Sequence, residues 1–442
     1  MRGKKNNRSK AWVVTVDMGL GHQRATFPLA EVAEGGIIAV GRDSTSDPEE
    51  RKLWTKMRNA YEFLSRIRPI PIIGKPLFNL LDTLQNIPSF YPLRDLSNPC
   101  FQVRLLSSFI DKGLCRGMIE KIQEKPLPLV TSYFAPAIAA DKAGYGRIYC
   151  IICDAEFNRA WVAEEPRKSR IHYLAPCGRS VMRLKSYGVP DERIFLTGFP
   201  MPAELLGGKN LDILKQDMAQ RLFYLDPNKR FWPMHGRNVV YFLEKKNCRF
   251  LKKRKLTITF AVGGAGAQKD IAAQLVKSLR SNLEKGEVRV ILIAGIREEV
   301  FKYFQNCKNE YLPGSPNLQI LYDNTLEGYF RKFTAAMRET DVLWTKPSEL
   351  SFYCGLGIPI ILSPTIGSQE EYNRKWLLEI QAGILQEDPE YTHQWLFDLL
   401  HEGRVAESAW DGFLKARKCG TQKIEEILET GTMARESSPL KR

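Results

Sequence analysis

The feature that most constrains the fold is a short apolar run that ends in a glycine-rich turn, and it occurs twice. Residues 11–16 lead into Asp-Met-Gly-Leu-Gly-His, and residues 256–262 lead into Gly-Gly-Ala-Gly-Ala-Gln. A helix-compatible stretch follows each turn, as in the βα units of a parallel sheet. More apolar runs of strand length follow, at 36–40, 127–132, 149–153, 171–175 and 193–197 in the first series and at 288–294, 318–322, 342–344 and 359–362 in the second. The pattern predicts an α/β chain of two Rossmann-like, doubly wound domains that face each other across a cleft.

The boundary between the domains is predicted within residues 198–209, which are rich in Gly and Pro. We predict an N-terminal domain over residues 1–200 and a C-terminal domain over 201–388. Helices and a polar tail are predicted over 389–442. Residues 227–255 fit no βα pattern and carry a dense basic cluster, so we interpret them as an insertion in the second domain.

The charge of the chain favours anionic partners. Lys and Arg number 65 against 50 Asp and Glu, a formal charge of +15. No RNA-binding aromatic motif, zinc finger or helix-turn-helix pattern accompanies the basic residues, so no nucleic-acid partner is expected. An anionic membrane surface or a phosphorylated substrate would use the same field.

The cysteines and the hydropathy pattern point to the cytoplasm. Nine cysteines lie dispersed along the chain, which is typical of reduced thiols. No apolar run reaches the roughly 18 residues of a transmembrane helix, and the run after the basic N-terminus is too short for a signal peptide. The Cys150/Cys153 pair lies in a strand-like run, which favours two buried small residues over a metal or redox pair.

The first glycine-rich turn places a histidine where chemistry is expected. Gly19 and Gly21 precede His22, which would lie at the carboxyl edge of the sheet. The turn is not the dinucleotide fingerprint GxGxxG, because Arg24 stands where that motif has its third glycine. From spacing alone, His22 is either a catalytic group or a residue that caps the helix.

The second turn can bind a phosphate through its main chain. Gly263, Gly264 and Gly266 lead to Gln268, and the ending of a Walker A loop is absent. The alternative is a tight turn whose glycines only permit close packing.

Two further loops follow strands of the second series. In the first, Thr345 and Lys346 precede Ser348, a candidate N-cap, and Glu349 in the first helical turn. The second loop opens a helix that carries an amide and carboxylates. Its candidate residues are Gln369, Glu370 and Asn373.

These motifs, in this order, resemble those of GT-B glycosyltransferases. The similarity is greatest to the branch that holds monogalactosyldiacylglycerol synthases and the peptidoglycan lipid-intermediate N-acetylglucosaminyltransferase. DMGLGHQRA at 17–25 is similar to that branch's DxGGGHRA loop, and ICDAEFNRAW at 152–161 with RIFLTGFPMP at 193–202 is similar to its middle motifs. Residues 260–268 and 345–373 resemble its GGGEG loop and its TKxGG…GxPxIL…GQExxN block.

The resemblance implies an inverting, metal-independent transfer of a sugar from a nucleotide sugar, expected to be a UDP-sugar, to a hydroxyl of a membrane lipid. No cofactor and no metal are expected, and the chain contains no DxD sequence. His22 is the first choice as catalytic base and Asp17 the second, with Gly19, Gly21 and Arg24 in the acceptor loop. The residues implied for donor binding are Gly263, Gly264, Gly266, Gln268, Thr345, Lys346, Ser348, Glu349, Gln369, Glu370 and Asn373.

Two positions depart from the family pattern. Leu20 replaces a glycine of the first loop, and Phe352 stands where the family has a ribose-binding Glu. Glu349 lies about one helical turn earlier and is the expected substitute. The departures keep two alternatives open, a catalytically degenerate nucleotide-sugar-binding module and a nucleotide-sugar epimerase.

The stretch 61–114 is the predicted lipid-facing surface. It combines apolar segments with a basic excess, which suits an anionic membrane interface. The alternative is ordinary core helices with solvated basic faces. We therefore expect a cytoplasmic protein that is peripheral at the inner face of the membrane.

Overall fold

The computed structural model describes residues 9–41, 46–66, 87–249, 253–263, 266, 268–436 and 438–441. The chain divides into two compact units. The first comprises Met1–Pro200, Gly367–Tyr372 and Cys419–Glu436, and the second comprises Met201–Ile366, Asn373–Lys418 and Ser437–Arg442. Each unit is built around one parallel sheet.

The sheet of the first unit has six strands in the order β2-β1-β3-β4-β5-β6. All of its pairings are parallel. The strand order reverses between β1 and β3, and this is the position where doubly wound sheets bind ligands. The strands are β1 (Trp12–Val16), β2 (Ile38–Val40), β3 (Leu129–Thr131), β4 (Ile148–Ile151), β5 (Ile171–Leu174) and β6 (Ile194–Phe195).

Seven described helices belong to this unit, and strands that are apolar along their whole length are typical of a sheet with helices on both faces. Every residue of β1, β3 and β4 is buried. The α-helices are Leu20–Thr26, Pro48–Arg66, Phe101–Asp111, Arg116–Gln123, Phe134–Lys142, Gly178–Ser186 and Gly420–Thr430, and 3₁₀ turns lie at Phe27–Leu29, Arg159–Trp161 and Asp191–Arg193.

The sheet of the second unit has the order β12-β11-β10-β7-β8-β9. With β7 counted as strand 1, this is the Rossmann order 3-2-1-4-5-6, and the reversal lies between β7 and β10. The strands are β7 (Leu256–Ala261), β8 (Val288–Gly295), β9 (Leu318–Tyr322), β10 (Val342–Thr345), β11 (Ile360–Leu362) and β12 (Gly383–Leu385).

The elements around this sheet begin with three helices that precede it in the chain. The α-helices are Ala203–Leu206, Asp212–Leu225, Trp232–Leu243, Lys269–Ser278, Arg280–Lys285, Glu298–Tyr311, Leu326–Glu339, Ser368–Glu379, Thr392–His401 and Arg404–Lys415. 3₁₀ helices lie at Glu349–Leu356, Pro389–Tyr391 and Pro439–Lys441. None of the described helices is both long and apolar enough to cross a bilayer.

The predicted fold class is confirmed: the chain is α/β and contains two Rossmann-like, doubly wound domains, the domain composition of GT-B proteins. Each of the eleven predicted strands is present. The sequence analysis missed β12, because its run of three residues is too short to stand out from the loops around it. Cys150 and Cys153 are buried thiols, as predicted, and burial raises the pKa of Cys150.

The structure adds detail to two local predictions. The helix expected after the first glycine-rich turn ends at Thr26 and gives way to the 3₁₀ turn Phe27–Leu29, where Pro28 has no N–H to continue the α-helical hydrogen bonds. Residues 227–255 contain the ordered helix Trp232–Leu243, which packs on Asp212–Leu225.

Candidate functional site

The first candidate site lies at the carboxyl end of β1, next to β3. Ser132 extends the pairing of these strands, since its N–H donates to the carbonyl of Val14 at 3.2 Å. The hydroxyls of Thr15 and Ser132 are 3.2 Å apart and both residues are buried. The Ser132 backbone is therefore fixed at the point where the strand order reverses.

His22 is anchored to this fixed backbone. Its Nδ1 lies 2.8 Å from the carbonyl oxygen of Ser132. A carbonyl oxygen can only accept, so Nδ1 carries the proton and Nε2 of the neutral ring holds the lone pair. This contact makes Nε2 the basic atom of His22.

Aromatic rings surround the imidazole. The His22 ring centroid lies 5.0 Å from that of Tyr133, edge to face, and 6.0 Å from that of Trp161. Trp161 is 5% exposed and also packs against Phe134 at 5.2 Å. The rings leave the imidazole few orientations besides the one that the Ser132 contact selects.

Trp161 is held in turn by a buried arginine. The guanidinium of Arg159 donates to the carbonyls of Ser97, at 2.7 and 3.1 Å, and of Val162, at 2.6 Å. Arg159 is 6% exposed, and burial lowers its pKa. The 3₁₀ turn that carries Trp161 is thereby tied to the segment before helix Phe101–Asp111.

The other predicted residues of this edge lie in the same loop. Gln23 Nε2 donates to Asp17 Oδ1 at 3.0 Å, so the second candidate base forms a hydrogen bond with the helix that begins at Leu20. Gly19 has φ of +93°, a conformation that favours glycine, and a Cβ there would meet no atom within 4 Å. Arg24 is 4% exposed and lies in the last turn of the helix.

A buried ion-pair cluster braces the loop after β4. The Glu156 carboxylate is fully buried and pairs with Arg179 and Arg183 of helix Gly178–Ser186. Arg183 also donates to the carbonyl of Pro88 at 2.9 Å, and its guanidinium lies 5.0 Å from the Phe90 ring centroid. Removing either arginine would leave a buried charge only partly compensated, so this cluster fixes the loop that leads to Trp161.

The second candidate site lies at the carboxyl ends of β7 and β10. A Cβ built on Gly263 would lie 2.6 Å from Cε of Lys346, so the lysine stem crosses directly over this glycine. Thr345 is 1% exposed, and its hydroxyl donates to the carbonyl of Ala261 at 3.1 Å. The two strands are thus joined by Thr345, and Gly263 leaves the room that the Lys346 side chain occupies.

The rest of the second glycine-rich turn is described only in part. Gly264 lies outside the described residues. Gly266 has φ of +70° and precedes helix Lys269–Ser278. Gln268 donates from Nε2 to the carbonyl of Pro364 at 2.7 Å, which joins this turn to the loop after β11.

The loop after β10 differs in detail from the prediction. Ser348 occupies the N-cap position, but its side chain makes no capping hydrogen bond, and the helix that carries Glu349 is a 3₁₀ helix. Phe352 is 2% exposed and packs against Trp376 at 5.0 Å between ring centroids. Its environment is apolar, so the position of the family's ribose-binding Glu belongs to the core here.

The three candidates of the last loop lie on one helix, Ser368–Glu379. Asn373 is fully buried and donates from Nδ2 to the carbonyl of Pro347 at 3.2 Å, so it supports the loop after β10. Glu370 accepts from the N–H of Gly367 at 3.4 Å and caps its own helix. Gln369 and Glu370 lie in the segment Gly367–Tyr372, which is grouped with the first unit, whereas Asn373 belongs to the second.

Ser132 and Tyr133 are the candidate-site residues that the sequence analysis missed. A signal for them exists, because both follow a predicted strand at its carboxyl end. Their importance depends on β3 being the neighbour of β1, and strand order is not written in the local sequence.

Comparisons with known proteins give structural likeness only. Comparison with protein-family models and with curated protein sequences gives no match. Among solved structures, a UDP-N-acetylglucosamine 2-epimerase from Listeria monocytogenes is 13% identical with a TM-score of 0.49, over 97% of this chain and 99% of that chain. MurG from Acinetobacter baumannii is 14% identical with a TM-score of 0.43, over 80% and 88%. A glycosyltransferase from Rickettsia africae is 12% identical with a TM-score of 0.42, over 96% and 98%.

Proposed function

We propose that this protein is a GT-B glycosyltransferase that moves a sugar from a nucleotide sugar to an acceptor hydroxyl. The observation that carries the proposal is the His22 imidazole, whose Nδ1 is hydrogen-bonded to the Ser132 carbonyl at 2.8 Å. A base that must accept a proton needs one ring nitrogen free of hydrogen, and this contact leaves Nε2 in that state. The base stands at the carboxyl edge of a doubly wound sheet, at the reversal of strand order.

In the proposed reaction, His22 Nε2 takes the proton of the acceptor hydroxyl. The acceptor oxygen attacks the anomeric carbon from the face opposite the leaving group and forms the new glycosidic bond. The bond between that carbon and the diphosphate oxygen breaks, so the nucleoside diphosphate leaves with the electron pair and the configuration inverts. The Ser132 carbonyl, which accepts from Nδ1–H, stabilises the imidazolium that forms.

In this proposal, residues of the second domain stabilise the negative charge of the departing diphosphate. Lys346 supplies a cation at the carboxyl end of β10, and Gly263 leaves space for its side chain. The helix Lys269–Ser278 begins just beyond the glycine-rich turn and directs N–H groups toward an anion at its N-terminus. Fixed donors of this kind stabilise charge that develops in the transition state. The absence of a metal requirement remains a prediction.

A membrane lipid is the proposed acceptor. Tyr91 and Leu93 are each 69% exposed, and Phe101 is 61% exposed, within the stretch 61–114. Exposed apolar side chains next to basic residues suit the interface of an anionic bilayer. Residues 67–86 of this stretch lie outside the described residues.

A second candidate is a degenerate module that binds a nucleotide sugar without transferring it. The buried Phe352 favours this reading, since it cannot hold ribose hydroxyls. Glu349 decides between the two candidates. If Glu349 replaces the missing carboxylate, Glu349→Gln loses a charge-assisted hydrogen bond of about 1.5–3 kcal/mol. UDP affinity should then fall about ten- to a hundredfold in calorimetry, whereas an unchanged affinity would show that Glu349 does not hold the ribose.

The test of the proposed function begins with ligand binding. Nucleoside diphosphates and their sugars are screened by thermal shift, because a ligand that binds only the folded state raises the melting temperature. The ligand that stabilises most is then incubated with the protein and lipid extracts, and product and released diphosphate are measured. Transfer to a lipid supports the proposal. Binding without transfer supports the degenerate module, and conversion of the sugar without acceptor indicates an epimerase.

A further inference from the structure

The segment 227–255 holds most of the excess charge of the chain. It contains ten basic residues and one acidic residue, which is nine of the fifteen formal positive charges. Six of these basic residues are exposed and form no ion pair with any residue that the structure describes. They are Lys229, Arg230, Arg237, Lys245, Arg249 and Lys253.

The helix at the centre of this segment is firmly held on its inner side. The Asp226 carboxylate accepts from the N–H groups of Arg230, Phe231 and Trp232 at 2.7–3.0 Å, which fixes the start of the helix. Val239 and Leu243 are fully buried, and the Phe242 ring lies 6.1 Å from that of Trp410. The inner face of the helix is therefore packed and hydrogen-bonded within the second unit.

The outer face of the same helix is apolar and exposed. Met234 is 65% exposed and Tyr241 is 78% exposed. They are seven residues apart, two helical turns, so they share one face, with Arg237 between them. Cations lie beyond both ends of the helix, at Lys229 and at Lys245.

We infer that this outer face, Met234, Arg237 and Tyr241 with the flanking cations, is a docking surface for an anionic lipid membrane. Unpaired cations are complementary to acidic head groups, and a Met and a Tyr that project from a convex helix can enter the boundary between head groups and acyl chains. Tyrosine prefers this boundary because its ring is apolar and its hydroxyl is polar. A nucleic acid would use the cations but has no need of the projecting methionine. The inference concerns a surface of the second unit and holds whether or not the protein transfers a sugar.

The test is sedimentation of the full-length protein with vesicles of phosphatidylcholine alone and of phosphatidylcholine with phosphatidylglycerol. We expect binding only to the anionic vesicles, and release at high salt, because charge attraction is screened within about 10 Å at 0.1 M ionic strength. Charge reversal by Lys229→Glu, Arg237→Glu and Lys245→Glu should lower the partition coefficient at least tenfold. The matched control, Lys121→Glu, Lys277→Glu and Lys285→Glu, makes the same change in net charge at exposed lysines elsewhere and should have a much smaller effect.

The apolar half of the surface needs its own variant. Met234→Ser with Tyr241→Ser should weaken vesicle binding by about three- to tenfold and leave binding of double-stranded RNA, which offers no unstacked base to Tyr241, unchanged. Both side chains are exposed, so circular dichroism and the melting temperature should match those of wild type. The inference is overturned if wild type does not bind anionic vesicles, if the control triple variant loses as much binding, or if only charge reversal at Arg66, Arg68 and Lys75 abolishes it. It is also overturned if RNA binds more tightly than the vesicles and the Met234/Tyr241 variant does not affect vesicle binding.

Discussion

The carboxyl edges of the two sheets present different kinds of chemical group. At the reversal of the first sheet, a side chain, His22, is locked by one backbone carbonyl and by aromatic rings. At the reversal of the second sheet, Gly263 leaves room for the stem of Lys346. A proton-transfer group needs a defined tautomer, whereas an anion site needs N–H groups and positive charge. The difference fits the proposed roles, proton transfer at the first edge and charge stabilisation at the second.

The largest effect is expected at His22, the proposed catalytic base of the first edge. His22→Ala should lower turnover by about 10²–10⁴, the usual contribution of general base catalysis. Affinity for the donor should change by no more than about twofold, because the proposed donor residues belong to the other domain. Turnover is measured with the identified acceptor, and donor affinity is measured by calorimetry.

Two variants sharpen this first test. His22→Asn keeps a hydrogen-bonding amide but removes the titratable nitrogen, so recovery of most turnover would make His22 an orienting group and Asp17 the leading base. His393→Ala is the matched control, since His393 is an exposed histidine bonded to Ser278 at 2.9 Å. Equal turnover of His22→Ala and His393→Ala would remove the base from the first edge.

A substitution of Lys346 tests the second edge, and there the expected effect is on ligand affinity and not on turnover. Lys346→Ala should weaken UDP binding about ten- to a hundredfold, because a hydrogen bond to a charged group contributes about 1.5–3 kcal/mol. Calorimetry compares it with Lys277→Ala, which removes an exposed lysine of helix Lys269–Ser278 and should leave the affinity unchanged. If both variants bind like wild type, the diphosphate is not held at the end of β10.

The sequence predicted more of the fold than of the two edges. The apolar runs that form the strands are local, so all eleven were visible, and the glycine-rich turns marked where each series begins. The partner of His22 was not visible, because Ser132 is 110 residues away and becomes its neighbour only through the pairing of β1 with β3. The 3₁₀ helix after β10 was also missed. Ser348 and Glu349 have the residue types of an α-helical start, but tertiary packing of the following buried run determines the local geometry.

Gly263→Ala is a smaller test of how the second edge is assembled. The new Cβ would lie 2.6 Å from Lys346 Cε, so the flexible lysine must move rather than the backbone. UDP affinity should fall about threefold, within the 0.5–3 kcal/mol range of coupled neighbours. In the Lys346→Ala background the same substitution should have no further effect. A loss of equal size in both backgrounds would mean that Gly263 acts through the turn and not through Lys346.

The smallest expected effect is a loss of stability at low pH, which should occur in the first sheet and not in the second. His172 on β5 packs against Tyr149 and Phe195, and its Nδ1 has no hydrogen-bond partner among the described residues. Burial, with a smaller contribution from Arg193, lowers the pKa of His172. The folded state therefore favours the neutral ring.

Below the unfolded-state pKa of about 6.5, the unfolded chain binds more protons than the folded chain, so stability falls as the pH falls through 6.5. None of the six strands of the second sheet contains histidine. We therefore expect the loss of stability through His172 in the first sheet only. Hydrogen exchange of β4 and β5 peptides, measured at pH 7.5 and 5.5, should show faster opening at the lower pH in wild type and a smaller change in His172→Gln. The exposed control His393→Gln should behave like wild type. An equal change in all three proteins would assign the acid sensitivity of the first sheet to groups other than His172.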